Sequence, residues 1–233
     1  MDTQTRHALK QDRLVNATKT SVDWFQENRS RVIQAAVAAI ICIAVVIVAL
    51  VIYGRRSAAA DLAFGAAMDT YNTPLAQPGQ PAPPGEKTFA TATARATAAN
   101  QQFVQLANQY GWLESGKNAR YFAGLTAIDL GQTGAAETYL KQVADGHGAA
   151  LASLAKLALA NLYQQLNRSS EAVVLYNQLI AKPTNTVPAD AARLQLASLY
   201  EKTNPAEANK IYAQLKTSKT AAGQIAAQKL QQK

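Results

Sequence analysis

Nineteen consecutive residues, Ala35 to Tyr53, form an apolar run, and extending it back to Val32 admits only Gln34. Coiled as a helix, a run of this length reaches about 28 Å, close to the ~30 Å hydrocarbon core of a bilayer. A helix without a polar face has no place on the surface of a soluble domain, and a buried core helix seldom needs so long a stretch. Residues 32–53 are therefore expected to be a transmembrane helix. Ser57 and Ala58 to Ala60 offer small residues where a signal peptidase could cut. A cleaved signal, however, has an apolar region of only about 7–15 residues behind a short basic one. Here 31 residues precede Val32 and include Asp2, Asp12, Asp23 and Glu27. An uncleaved signal anchor is the favoured interpretation.

Flanking charge orients it. Arg13, Lys19, Arg29 and Arg31 fall in the twenty residues before Val32, against Arg55 and Arg56 in the twenty after Tyr53. That excess favours a cytoplasmic N-terminus, which puts the larger C-terminal part across the membrane. In the expected tail, 1–31, residues 9–25 place Leu14, Val15, Thr18, Val22 and Phe25 at helical spacing, with Trp24 beside them. They suit a short amphipathic helix at the membrane surface, and a fraying polar tail equally well. Cys42, in mid-span, is read as an inert small hydrophobe.

Charge and composition remove several functions. The net charge is +8, but residues 57–233 contribute only half of it and carry no block of like charge. A nucleic-acid binder gathers Lys and Arg on one face, so nucleic acid is not an expected partner. One Cys and two His leave no disulfide framework and no zinc site built on Cys and His. Neither metal nor cofactor is expected. Plentiful Ala and Gln, with few β-branched residues outside the apolar run, favour an all-α fold.

Residues 54–72 continue as a juxtamembrane helix. Residues 73–87 hold five of the eight prolines and are expected to be a linker or insertion without regular structure. From residue 88 to 219 the sequence repeats. Leu157, Leu159, Ala160, Leu162 and Tyr163 align with Leu194, Leu196, Ala197, Leu199 and Tyr200. After a one-residue deletion, Glu171, Ala172, Tyr176, Gln178 and Leu179 align with Glu207, Ala208, Tyr212, Gln214 and Leu215. Gly124, Ala127, Gly131, Ala136, Leu140 and Val143 fit the same template, and Ala99, Phe103 and Leu106 fit its second half. The alanines at 99, 136, 172 and 208 are separated by 37, 36 and 36 residues. A period in the mid-thirties with helix–turn–helix patterning is the mark of tetratricopeptide-like hairpins stacked as an α-solenoid. In each unit a small residue of helix A (Gly124, Ala160, Ala197) is expected to meet a small residue of helix B (Ala136, Ala172, Ala208). Leu140, Tyr176 and Tyr212, four positions on, are expected to pack against the next unit. Residues 220–233 read as a capping helix.

A short tail, the stretch Trp24-Phe25-x-Glu27-Asn28, one span and a repeat domain follow in that order. The whole resembles the YfgM-type ancillary subunits of the Sec translocon, a membrane-anchored periplasmic tetratricopeptide family of Gram-negative bacteria. The resemblance implies an inner-membrane protein with its C-terminal domain in the periplasm. It also implies association with translocon subunits, periplasmic chaperones or secreted clients.

No reaction is expected of the chain. Gly111 to Asn118 reads GWLESGKN, near a phosphate-binding loop, but Asn118 stands where a magnesium-binding hydroxyl is needed, and the residues before it have helical spacing. His147, in Asp145-Gly146-His147-Gly148, sits in a turn without the support a catalytic triad requires. Binding is the better destination. Helix A of each unit should line the inner face of the solenoid, presenting Tyr121, Leu125 and Ile128, then Asn161, Gln164 and Gln165, then Ser198, Glu201 and Lys202. Leu157 stands where a carboxylate clamp would need a Lys, so no such clamp is expected. The expected function is a membrane-anchored scaffold that binds other proteins, with membrane lipid contacted through 32–53. The alternatives are a cytoplasm-facing adaptor and a bitopic hydrolase.

Overall fold

The computed structural model describes residues 28–76 and 87–232. The expected amphipathic helix over 9–25 and the middle of the Pro-rich segment, 77–86, lie outside the described residues. The chain divides into two compact units, Met1–Arg56 and Ser57–Lys233. Helix α1, Arg29–Asn72, supplies the described part of the first and opens the second.

In the first unit α1 carries the apolar run. From Ile33 to Tyr53 its large side chains leave about half or more of their surface uncovered. Its most apolar 18-residue window has a mean hydropathy of 3.4, and none of that window is buried. An α-helix pairs its backbone polar groups internally, which is the condition for crossing hydrocarbon. Among the described residues this is the one helix long and apolar enough to cross a membrane.

Among the described residues, the second unit is built of helices, apart from one isolated bridge between Leu75 and Phe89. After the end of α1 come α2 (Ala92–Tyr110), α3 (Glu114–Asp129), α4 (Thr133–Ala144), α5 (Ala149–Gln165) and α6 (Ser169–Ala181). Helices α7 (Ala189–Thr203), α8 (Pro205–Leu215) and α9 (Ala221–Gln231) follow. From α2 onward each helix packs mainly on its neighbours in sequence, and α3 also meets α5 as α7 meets α9. That is the contact pattern of tandem hairpins, in which each pair buries its faces against the next. Helices α3, α5 and α7 are the A helices; α4, α6 and α8 are the B helices.

The repeat positions form the core. Ala99, Ala136, Ala172 and Ala208 are fully buried, as are Phe103, Leu140, Tyr176 and Tyr212 four residues on. A Cβ added to Gly124 would lie 2.8 Å from Leu140 Cγ and Cδ2, so the missing side chain sets how closely α3 meets α4. The large residue of helix B, expected to pack on the next unit, is in contact with helix A of its own unit. Leu140 meets Gly124 of its own unit's A helix. The Tyr176 and Tyr212 hydroxyls likewise reach α5 and α7 of their own units. The reason is helical geometry: residues i and i+4 share a face, so an Ala that meets helix A brings its partner to helix A as well.

Residues 57–72 act as the A helix for α2. Phe64 and Tyr71 of α1 meet Phe103 of α2 and Phe122 of α3, with ring centroids 5.8–6.2 Å apart. Phe103 and Phe122 stack at 5.2 Å. The Pro-rich insertion leaves this pairing intact because its ends are clasped. Ala76 N–H donates to the Phe89 carbonyl (2.8 Å), Phe89 N–H to the Pro74 carbonyl (3.1 Å), and the Arg95 guanidinium to the Thr73 carbonyl (3.2 Å).

The turns explain the one-residue deletion. Gly131 and Asn167 end α3 and α5 with positive φ, 70° and 58°. In both turns the next N–H reaches back five residues, Gln132 to Ala127 and Arg168 to Tyr163 (2.8 Å each). This left-handed closure satisfies the last carbonyls of helix A, and Gly and Asn adopt it most readily. In the third unit the left-handed residue is absent. Instead Asn204 caps α8, its side chain accepting from Glu207 N–H (3.3 Å), with Pro205 in the first turn.

Candidate functional site

The periodicity of α5 puts Leu154, Leu157, Ala158, Asn161, Leu162 and Gln165 on one face, spaced by three and four residues. Tyr121, Leu125 and Ile128 make the corresponding face of α3. Where α3 and α5 meet, these nine residues line an open cavity of about 270 Å³. It joins the A helices of two successive units, and its wall is apolar except for the Tyr121 hydroxyl, Asn161 and Gln165. The Tyr121 ring packs edge-on against Phe122 at 5.4 Å, which fixes its plane. Burial, helped by nearby Tyr71, raises the pKa of the Tyr121 phenol, so it remains a neutral hydrogen-bond donor.

The structure brings together five of the nine residues expected from sequence: Tyr121, Leu125, Ile128, Asn161 and Gln165. The other four lie elsewhere. Gln164 is half-buried, with Oε1 3.2 Å from the Tyr176 hydroxyl, whose proton goes chiefly to Asn161 Oδ1 at 2.7 Å. Glu201 accepts from the Tyr212 hydroxyl (3.0 Å) and pairs with Lys229 of α9 (3.1 Å). Ser198 is half-buried and Lys202 exposed on α7. Burial pushes the Tyr176 phenol up to about 12, and burial with Glu201 raises that of Tyr212. Asn161, Gln164 and Glu201 on helix A therefore serve the buried tyrosines of helix B. Leu154, Leu157, Ala158 and Leu162 are the lining residues that the sequence expectation lacked. Their signal was available, since they extend the same stripe as Asn161 and Gln165.

A second polar cluster ties two units together. Glu137 of α4 accepts from Arg168 at 2.7 and 3.3 Å, from Lys141 at 2.6 Å and from the Tyr163 hydroxyl at 2.9 Å. Arg168 also binds Glu171 of α6 and lies 4.1 Å over the Tyr163 ring. These donors, led by Arg168, hold the Glu137 carboxyl at about 2. Every charge is matched inside the cluster, which makes it a joint between hairpins.

The segment resembling a phosphate loop has a packing explanation. Helix α2, not a strand, precedes it, and Gly116 and Lys117 lie inside α3. A Cβ at Gly116 would run into the Tyr110 carbonyl, and one at Gly111 would come 2.6 Å from the Arg120 guanidinium. Both glycines serve the approach of α2 to α3. Asp145 to Gly148 are exposed between α4 and α5. Among the described residues, no three His, Cys, Asp or Glu side chains are grouped to hold a metal ion. Comparison with protein-family models, curated proteins and solved structures gives no match.

Proposed function

We propose that this protein is a membrane-anchored scaffold that binds other polypeptides along its A helices. The observation that carries this is the cavity between α3 and α5, in which Tyr121, Leu125, Ile128, Leu154 and Leu157 meet beside the polar ends of Asn161 and Gln165. Its apolar walls suit aliphatic or aromatic side chains of a partner, and its few polar groups suit the partner's backbone. The cavity is shallow and joins two repeat units, so the natural occupant is a short segment of chain and not a small metabolite. No enzymatic role is part of this proposal.

Orientation and partner class follow from the sequence. The basic flank before Val32 favours export of the second unit. The resemblance to ancillary translocon subunits points to the periplasm, with translocon subunits, chaperones or secreted clients as partners. A cytoplasm-facing adaptor is the competing arrangement. A C-terminal alkaline phosphatase fusion separates the two, being active only if the domain is exported.

The binding proposal is tested by photo-crosslinking from single positions in intact membranes. Crosslinkers at Leu125 and Gln165 should capture polypeptides, whereas those at Gln164 and Glu201, positions that face the helix-B tyrosines and lie outside the cavity, should capture far less. Equal capture from all four, or capture of lipid and self alone, would overturn it.

A further inference from the structure

The A-helix starts lie along one edge of the second unit. Ser115, at the start of α3, hydrogen-bonds Asp61, near the start of residues 57–72. The starts of α3 and α5 share a cavity of about 360 Å³, lined by Lys117, Arg120 and His147 among others. On the other side of His147 a cavity of about 520 Å³ is lined by Lys156, Lys182 and the Pro183 turn, with no carboxylate in its wall. Thr186 donates to the Ala150 carbonyl (2.9 Å), tying the 182–188 connection to the start of α5. Ser218 donates to Asp190 (2.7 Å), tying the 216–220 connection, with Lys216 and Lys219, to the start of α7.

Charge on this edge is lopsided. Of its carboxylates, Glu114 is held by Lys117 at 2.7 Å, Asp190 by Arg193 at 2.9 Å, and Asp61 by Ser115. Asp145 stands at the end of α4. Against these stand Arg120, Lys156, Lys182, Lys216 and Lys219, with Lys182, Lys216 and Lys219 exposed. The opposite edge, where A helices turn into B helices, carries Asp129, Glu137, Glu171 and Glu207 alongside Arg95, Arg168, Lys202 and Lys210, and is close to neutral. Trp112, in the connection before α3, leaves 53% of its surface open on the basic edge.

Connectivity states what this edge meets. Ser57 begins the second unit on this edge, and the apolar run ends at Tyr53. Four residues span at most about 14 Å even when fully extended. The surface of the bilayer that holds the run therefore lies within that reach of Ser57, under two Debye lengths at physiological salt. Clustered Lys and Arg with an exposed Trp are the side chains that sit well among anionic headgroups.

We propose that the edge formed by the connections 111–113, 145–148, 182–188 and 216–220 is a lipid-binding surface that rests on anionic headgroups, with Trp112 at headgroup level. The proposal depends on residues 35–53 being membrane-embedded and not on what the cavity between α3 and α5 holds.

The full chain carrying Trp24→Phe leaves Trp112 as its one Trp. It is reconstituted into phosphatidylcholine vesicles, with and without phosphatidylglycerol, each containing a headgroup-labelled quenching lipid. Trp112 should be quenched in the anionic vesicles and much less in the neutral ones. The difference should vanish in high salt and in the triple variant Lys182→Glu, Lys216→Glu, Lys219→Glu, with the helical circular-dichroism signal unchanged. No quenching in either vesicle, or quenching that ignores lipid charge, overturns the proposal. A Trp112 response to soluble polyglutamate but not to anionic lipid overturns it in favour of an acidic polypeptide. Failure of the chain to float with vesicles in high salt removes the embedded anchor and the proposal with it. None of these outcomes bears on crosslinking from Leu125 or Gln165.

Discussion

Two kinds of hairpin interior sit side by side in the second unit. Between residues 57–72, α2 and α3 the core is an aromatic cluster: Phe64, Tyr71, Phe103 and Phe122 pack ring on ring. In the hairpins α5–α6 and α7–α8 the residue equivalent to Phe103 is Tyr176 or Tyr212, equally buried but with a hydroxyl that needs a partner. Asn161, Gln164 and Glu201 on helix A supply the acceptors. A buried hydroxyl without an acceptor costs about 1–3 kcal/mol, so the tyrosine and its acceptor come as a pair. One template thus permits two solutions. The aromatic one leaves helix A free of obligation, whereas the hydroxyl one enlists side chains that would otherwise face outward.

The contrast breaks most sharply at the aromatic end. Phe103→Ala removes the centre of the aromatic cluster and should cost about 3–5 kcal/mol, read as a fall in the denaturation midpoint of the full chain in detergent. Gly124→Val pushes a side chain into Leu140 and should cost about 1–3 kcal/mol in the same assay, whereas a loosely packed α3–α4 interface would absorb it without loss. Exchanging the two solutions sharpens the comparison. Phe103→Tyr forces an extra hydroxyl into a fully buried position packed by rings and should cost about 1–3 kcal/mol. Tyr176→Phe removes one hydrogen bond and should cost only about 0.5–1.5 kcal/mol.

The smallest effect is electrostatic and lies at the joint between hairpins. The Glu137 carboxyl is held at about 2, below the ordinary carboxylate value of 4.5. A lowered folded-state pKa adds stability that is fully present above the unfolded value. It is lost as pH falls through the window from about 4.5 to about 2. The thermal midpoint of the native chain should drop across that window more steeply than that of Glu137→Gln. Parallel curves for the two chains would show that Arg168 and Lys141 do not stabilise the fold through this carboxylate.

Much of this architecture was legible in residue order. The span needs only an uninterrupted apolar run. The hairpins announce themselves through alanines 36 or 37 residues apart, because one packing geometry repeated demands one small residue repeated. The deletion in the third turn marked the place where Gly131 and Asn167 have no counterpart. The candidate site was half legible. Tyr121, Leu125 and Ile128 on α3 and Asn161 and Gln165 on α5 lie on the expected face, but Gln164 and Glu201 do not line the cavity, and both, like the Asn161 oxygen, accept from helix-B tyrosines. Nothing local to Gln164 distinguishes it from Gln165. The difference is a hydroxyl twelve residues away, brought within 3.2 Å by the fold.

Residue order by itself determined the apolar helix, the all-helical character and the register of the repeat, since each depends on spacing along one chain segment and on the 3.6-residue turn. Only the tertiary structure decided which polar side chains of helix A are consumed by buried tyrosines. It alone opened a cavity between α3 and α5 and gathered scattered lysines onto one edge. Those features are set by distances between segments far apart in the chain, and such distances exist only once the hairpins have stacked.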